Sequence, residues 1–570
     1  MINFARFMPI LGEFANYNTR KLSSDLVAAC VVTIMLIPQS LAYAMLAGLP
    51  PEVGLYASIL PLIAYALFGS CKTLAIGPVA IASLMTASAL SGVVAEGIVG
   101  YVEGAMLLAL LSGVFLILLG IFRLGFLSHF LSHSVVVGFI TASGLVIALS
   151  QLKHILGVSA QGHSFFEVAN SIAQNLTQFN AYTVALGCGS ILFLFWARSG
   201  AVQLLQSFGL SKHLASTLSK VAPVIGIAVT TLIVVSMNLD TQGVAIVGSI
   251  PVGIPALSLP SVSIEAIKAL ILPAVLISII GYVESVSVGK TLSAKKREKI
   301  DGNQELIGLG AANLASGVSG AFPVTGGFAR SVVNFDAGAT TQIAGIFTAI
   351  GIALAALFLT PLLYFLPIAM LAATIIVAVL SLVEFSIFKR AWQFSKSDFI
   401  AVLITVCLTL ILGVEIGVAS GIISSILLHL HHTSQPHIAE VGLVEGSEHF
   451  RNVLHYKVQT NPCIVSLRID ESLLFSNAGY LEDYINDLVY DRDEVCHVLL
   501  HCSAVNNIDL SALEMLEQLN QRLIEQGIKL HFSEVKIPVH KLLQRSGILE
   551  HLSGRIFLSQ YDAYRQLSCD

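Results

Sequence analysis

Charge is scarce in this chain. Asp, Glu, Lys and Arg make up 11% of its 570 residues, against roughly a quarter in ordinary soluble domains. That scarcity, with 55% hydrophobic residues and a mean hydropathy of +0.83, excludes a conventional soluble globular protein. The net charge of −5 points to no nucleic-acid partner. The eight cysteines form no CxxC pair; Cys30, Cys71, Cys188 and Cys407 lie in apolar stretches and the rest in a polar tail, as reduced thiols would. No metal-ligand spacing and no nucleophile–base set is present, so neither an enzyme nor a metal cofactor is expected. The "SVGKT" at Ser287–Thr291 resembles the end of a phosphate loop, but Glu284 stands where its glycine belongs. With no nucleotide-binding loop, an ATP-driven pump is disfavoured and a gradient-driven transporter favoured.

What the chain does have is long apolar runs. Stretches of eighteen or more apolar residues recur from about 22 to 432, the signature of a polytopic α-helical membrane protein. About fourteen segments can be counted, with short, imperfect ones near 74–92 and 326–337. Three regions follow: an N-terminal segment 1–21, a transmembrane domain 22–432 and a polar C-terminal domain 433–570, joined through "HLHHTSQPH". No cleavable signal is visible; Arg6, Arg20 and Lys21 lead into a retained first span. Basic residues recur at Arg123, Arg198, Lys212, Lys220, Lys290–Lys299, Lys389, Arg390 and Lys396, and none lies between Asn238 and Glu265. By the positive-inside rule both termini are cytoplasmic, in agreement with an even number of spans.

The membrane region also looks doubled. Each half has a long helix ending in polar residues ("IPQSLAY"; "GYVESVSVGKT"), then a Gly-containing helix, then a short broken segment. Gly- or Pro-interrupted segments at matching places point to a seven-plus-seven inverted repeat with a binding site at the midplane. A half-helix begins with free N–H groups and a positive partial charge, which attracts anions. "AIGPVA" is expected to start one half-helix at Gly77 and Pro78. "VTGGFARS" is expected to start the other at Gly326 and Gly327, glycine letting an anion approach the backbone. Arg330 is costly in lipid unless it faces water or a partner, so it is expected to face the pocket and pair with an oxyanion. The competing reading is an interfacial or carboxylate-neutralising arginine. Glu284 is the second costly charge, a candidate to carry coupling protons or help hold a cation; a purely structural carboxylate is its alternative. Gln39, Tyr43, Ser287 and Thr325 are candidate polar lining.

The tail alternates strand and helix patterns: strands at Cys463–Asp470, Cys496–Ser503 and in "IKLHFSEV", helices at Ser511–Gly527 and in "PVHKLLQRSG". It reads as an independent α/β domain. In "NNIDLSAL", Asp509 or Ser511 is the helix N-cap, and Ser511 is also a candidate phosphorylation site.

Four stretches carry a family resemblance: "IPQSLAYAMLAGLPPEVGLYAS" from Ile37, "AIGPVA" from Ala75, "SVVVGFITASGLVIALSQLKHILG" from Ser134 and "GGFARSVVN" from Gly326. They resemble the sulfate permease (SulP) family, relatives of the solute carrier family 26 anion transporters. The tail resembles a STAS domain, with "IDLSAL" as its turn. The likeness spans about residues 20–565. It implies fourteen spans divided into core and gate domains, an anion held between the third and tenth half-helices, an elevator-type shift and a homodimer. It further implies Gly77, Pro78, Gly326, Gly327, Phe328, Ala329 and Arg330 as anion-binding residues, and places Glu284 where many members carry a carboxylate linked to proton coupling. The family's tenth-segment motif has serine before the arginine; here it is Ala329, which removes one hydroxyl contact. The reading that results is proton-coupled uptake of sulfate, with sodium as the other candidate ion. The alternatives are a dicarboxylate or bicarbonate symporter or an anion exchanger of the same family, or, from another class, a membrane-anchored STAS sensor or scaffold with its own cytoplasmic protein partner.

Overall fold

The computed structural model describes residues 8–14, 17–129, 132–162, 164–207, 209, 222–251 and 253–568. Arg6, Lys212 and Lys220 lie outside the described residues. The chain divides into two compact units, Met1–Ser425 and Ile426–Asp570.

The first unit is helical because its apolar runs can satisfy their backbone polar groups only within themselves. Among the described residues, fourteen helical segments form its two repeats, beside shorter connecting helices such as Phe165–Asn175 and Ser386–Phe394. The first seven are α1 (Thr19–Leu46), α2 (Pro51–Phe68), α3 (Ala80–Ala95), α4 (Tyr101–Ile121), α5 (His133–Leu156), α6 (Ala181–Ser207) and α7 (Ala222–Met237). The second seven are α8 (Ile264–Lys296), α9 (Gly302–Val318), α10 (Phe328–Asp336), α11 (Ile343–Phe358), α12 (Ile368–Leu380), α13 (Lys396–Leu412) and α14 (Val414–Ser434). The order matches a seven-plus-seven repeat: the third and tenth segments are each preceded by a two-residue strand, β1 (Ile76–Gly77) and β2 (Thr325–Gly326). Helices α1–α4 pack with α8–α11, and α5–α7 pack with α12 and α13. These two sets are the core and the gate of a polytopic helical membrane protein.

Sequence reasoning did not foresee that the peptides before the half-helices are strands. It placed Gly77 and Pro78 at a helix start, whereas α3 begins at Ala80 with Val79 as its N-cap. The φ of Gly77, +151°, is a conformation that L side chains rarely adopt. The backbone there pairs with another strand instead of coiling.

The extended arm that leads to β1 is held by buried polar groups from other helices. Glu305, 1% exposed, accepts hydrogen bonds from Tyr65 Oη (2.7 Å), Ser70 N (2.8 Å), Ser70 Oγ (2.6 Å) and Cys71 N (2.8 Å). Gln304 Nε2 donates to the Phe68 carbonyl and Gln342 Nε2 to that of Gly69. In the second half, Asn313 brackets Val324, donating to its carbonyl and accepting from its N–H. Asp25 plays a related part at the entrance to α11, where it accepts from the N–H and hydroxyl groups of Thr340 and Thr341.

The second unit is a six-stranded sheet of order β4-β3-β5-β6-β7-β8. Its strands are β3 (Ile438–Leu443), β4 (Phe450–Asn452), β5 (Ile464–Ile469), β6 (His497–His501), β7 (Lys529–Ser533) and β8 (Ile556–Phe557). β5 to β8 are parallel and β3 is antiparallel to β5. Helices α15 (Ala478–Tyr490), α16 (Leu510–Glu525) and α17 (Ile537–Ser546) cover one face; α18 (Gln560–Leu567) covers the other. The expected strands and helices are all present. β3, β4, β8, α15 and α18 are additional.

Glu305→Ala is expected to leave four donors without an acceptor in a buried site, at a cost of about 3 kcal/mol or more. Thermal unfolding in detergent should show a clearly lower midpoint than wild type, with Glu305→Gln in between because one acceptor oxygen survives.

Candidate functional site

Strands β1 and β2 pair antiparallel, Ile76 opposite Gly326 and Gly77 opposite Thr325. This pairing brings the amino ends of α3 and α10 together in the core. Neither helix has a side-chain cap, so their first-turn N–H groups remain for a ligand. Phe328 and Ala329, on the opening turn of α10, are exposed. Gln39 and Tyr43 of α1 are half-buried.

Arg330 is 2% exposed, and its hydrogen bonds go to backbone. Nε donates to the Ala75 carbonyl (2.9 Å), Nη1 to Pro78 (2.8 Å), and Nη2 to Gly77 (2.7 Å) and Thr325 (3.0 Å). The sequence-based expectation of a guanidinium turned toward an oxyanion therefore needs correction. Extended peptides that cross inside a membrane have carbonyls without helical partners, and a planar fork of five donors meets several at once. The glycines are explained the same way. A Cβ on Gly77 would lie 2.9 Å from Arg330 Nη1, and one on Gly327 would lie 2.6 Å from Arg330 Nε. They make room for the guanidinium. Gly326 has a different neighbour: its Cβ would meet Leu74 and Ser285 Oγ at 2.9 Å.

The rest of that α10 face completes the lock. Ser331 Oγ accepts from Ala75 N (3.0 Å) and donates to the Gly327 carbonyl (2.6 Å), and Asn334 Nδ2 donates to Thr73 (3.0 Å). From α8, Ser285 Oγ accepts from Gly326 N (2.8 Å). Sequence reasoning missed Ser285 and Asn334 as site builders and chose Ser287 instead, which is exposed. The available signal was spacing: residues 327, 330, 331 and 334 share one helical face. At the far end of α10, the Lys296 ammonium lies over the Phe335 ring at 5.3 Å and contacts the Ala339 carbonyl, favourable positions for a cation near a helix carboxyl end.

Glu284 is half-buried and has no hydrogen-bond or ion-pair partner among the described residues. It lines a cavity of about 30 Å3 between core and gate, with Ile81 of α3, Phe139 of α5, Thr405 of α13 and Val418 of α14. That volume has room for water. Thr325 Oγ1 is buried without a partner, and Pro78 is buried beside the guanidinium it bonds. In the second unit, Asp509 is the N-cap of α16, accepting from Ala512 N (2.9 Å), and Ser511 is exposed on the first turn. No cluster of three or more metal-ligating side chains occurs among the described residues.

Two uncapped half-helices meeting at paired strands within a duplicated helical bundle define a membrane carrier of the core-and-gate class. The comparisons take this further. The sulfate permease family profile matches residues 22–405 and the STAS domain profile matches residues 455–563; the chain belongs to the sulfate permease family. Probable sulfate transporter 4.2 of Arabidopsis thaliana is 38% identical over 95% of this chain and 80% of its own length. A probable sulfate transporter of Mycobacterium tuberculosis is 34% identical over 97% of both chains. Among solved structures, the murine solute carrier 26 family member A9 anion transporter superposes with a TM-score of 0.88 at 24% identity, covering all of this chain and 95% of that one. The transmembrane domain of a cyanobacterium bicarbonate transporter gives 0.61 at 19% identity, over 72% of this chain and 98% of that one. The protein is thus a multi-pass anion transporter with a C-terminal STAS domain.

Arg330→Lys is expected to fail as a replacement, since one ammonium cannot span four carbonyls set around a planar fork. Both the unfolding midpoint and the anion uptake rate should fall, uptake by tenfold or more; near-wild-type values for both would refute the bridging role. Gly77→Ala should behave similarly, through the clash with Arg330.

Proposed function

We propose that the protein is a secondary active transporter that takes up sulfate, or an oxyanion of similar size, with protons as the coupling ion. The observation that carries this reading is the β1–β2 pairing, which sets two uncapped helix amino ends face to face. An anion bound there is held by the N–H groups of the opening turns of α3 and α10. Arg330 contributes positive charge from behind the crossing, without direct contact to the cargo. Because Ala329 offers no hydroxyl, backbone groups carry most of the recognition. Gln39 and Tyr43 line the approach from α1.

Glu284 is the coupling group in this reading. It is ionisable, lacks a fixed partner, and borders a cavity between core and gate. A proton gained there removes a charge that is costly to move through lipid, so core and cargo can shift past the gate together. The gate residues that face Glu284 are mostly apolar (Val135, Phe139, Val418), a surface suited to an elevator-type slide. Sulfate as cargo is supported by the names of the relatives, and the distribution of basic residues supports cytoplasmic termini.

Uptake of labelled sulfate into proteoliposomes, with an inward proton gradient and separately with a sodium gradient, tests the reading. The expected result is accumulation driven by the proton gradient and competed by unlabelled sulfate but not by chloride. Glu284→Gln should abolish gradient-driven accumulation while leaving sulfate exchange within about threefold of wild type. Accumulation that survives this substitution would remove Glu284 from the coupling role.

A further inference from the structure

Two cysteines of the STAS domain stand side by side. Cys463 immediately precedes β5 and Cys496 immediately precedes β6, and these parallel strands pair with Ile464 opposite His497. One step back in the same register, Cys463 faces Cys496. The backbone confirms the approach: the N–H groups of Cys496 and His497 both donate to the Cys463 carbonyl at 2.9 Å. Side chains alternate along a strand. Cys463 therefore shares a face with Val465, and Cys496 with Val498, and both valines belong to the same core. Neighbouring strands lie about 4.8 Å apart, inside the Cα window of about 4.4–6.8 Å that a disulfide spans.

Both thiols are free, Cys463 half-buried and Cys496 exposed. Cys496 Sγ also contacts the Glu494 carbonyl at 3.6 Å. Burial first, then the charge and hydrogen bond of Cys496, and then Glu494, hold the Cys463 thiol above its ordinary value. Cys502, the remaining described cysteine of this domain, is buried and pushed up to about 12, which makes it inert as a nucleophile. An exposed thiol beside a second, half-buried one across a strand pair is the arrangement of an attacking and a resolving cysteine.

We propose that Cys463 and Cys496 are a reversible redox modification site, oxidised by hydroperoxides to a cross-strand disulfide. Cys496 loses its proton to solvent, and the thiolate attacks the outer oxygen of the hydroperoxide. The O–O bond breaks, the alcohol or water leaves with a proton, and Cys496 becomes a sulfenic acid. The Cys463 sulfur then attacks the Cys496 sulfur. The S–S bond forms, the S–O bond breaks, and the departing hydroxide takes the Cys463 proton as water. Two electrons pass from the thiol pair to the peroxide, and a dithiol reverses the bond.

The full-length protein in detergent, fully reduced and then treated with hydrogen peroxide, tests this by peptide mapping without reduction. The expected map contains a Cys463–Cys496 linkage two hydrogens lighter than the two peptides, lost on treatment with dithiothreitol. In Cys463→Ser, a dimedone adduct should appear on Cys496; in Cys496→Ser, Cys463 should stay unmodified at the same dose. A wild-type map lacking that linkage, or a Cys496→Ser variant whose Cys463 is oxidised as fast as the wild-type pair, would overturn the proposal.

Discussion

Inside a bilayer, a peptide that is not helical has no water to receive its N–H and C=O groups. That constraint organises this transporter. Two stretches leave helical geometry midway through the membrane domain so that two helix amino ends can point inward. Their exposed carbonyls must then be satisfied by protein. The Arg330 guanidinium does most of this, bonding Ala75, Gly77, Pro78 and Thr325 together. A charge that looks like a ligand for cargo in the sequence is, in the fold, a clamp on the backbone carbonyls where the two arms cross. It still supplies a positive field near the site, so its structural and electrostatic contributions coincide.

The same demand explains polar residues that carry no cargo. Glu305, Gln304, Gln342, Asn313, Asn334, Ser285 and Ser331 each bind backbone of one arm or the other. They come from α8, α9, α10 and the entrance to α11, all elements of the core set. Glu284 differs from all of them. It lies at the boundary with the gate beside a small cavity, without a fixed partner. A fixed hydrogen bond or ion pair would favour one protonation state of such a carboxylate, and Glu284 has neither among the described residues.

Much of this was legible in advance. Apolar run length marks the membrane region and its longest spans, since a helix must be about twenty residues long to cross the hydrocarbon; among the described residues seven helices meet that length and the other segments are shorter. The two broken segments, their glycines, Arg330 and Glu284 stood out because Gly, Pro and charge are costly there. The division into membrane and α/β domains follows from composition. The sheet of the tail was partly readable from its buried apolar strands, while short edge elements such as β4 and β8 carry too few residues for a pattern.

The sequence by itself determined that the chain is a duplicated membrane carrier with two interrupted spans and an appended α/β domain, because period, length and transfer cost are local properties. Only the tertiary structure decided what the costly residues bind. Whether Arg330 meets an anion or four carbonyls, whether Ser285 or Ser287 reaches β2, and whether Cys463 meets Cys496 depend on contacts between segments far apart in the chain. Those contacts are set by strand register and helix rotation, and a single helix or strand read alone contains neither.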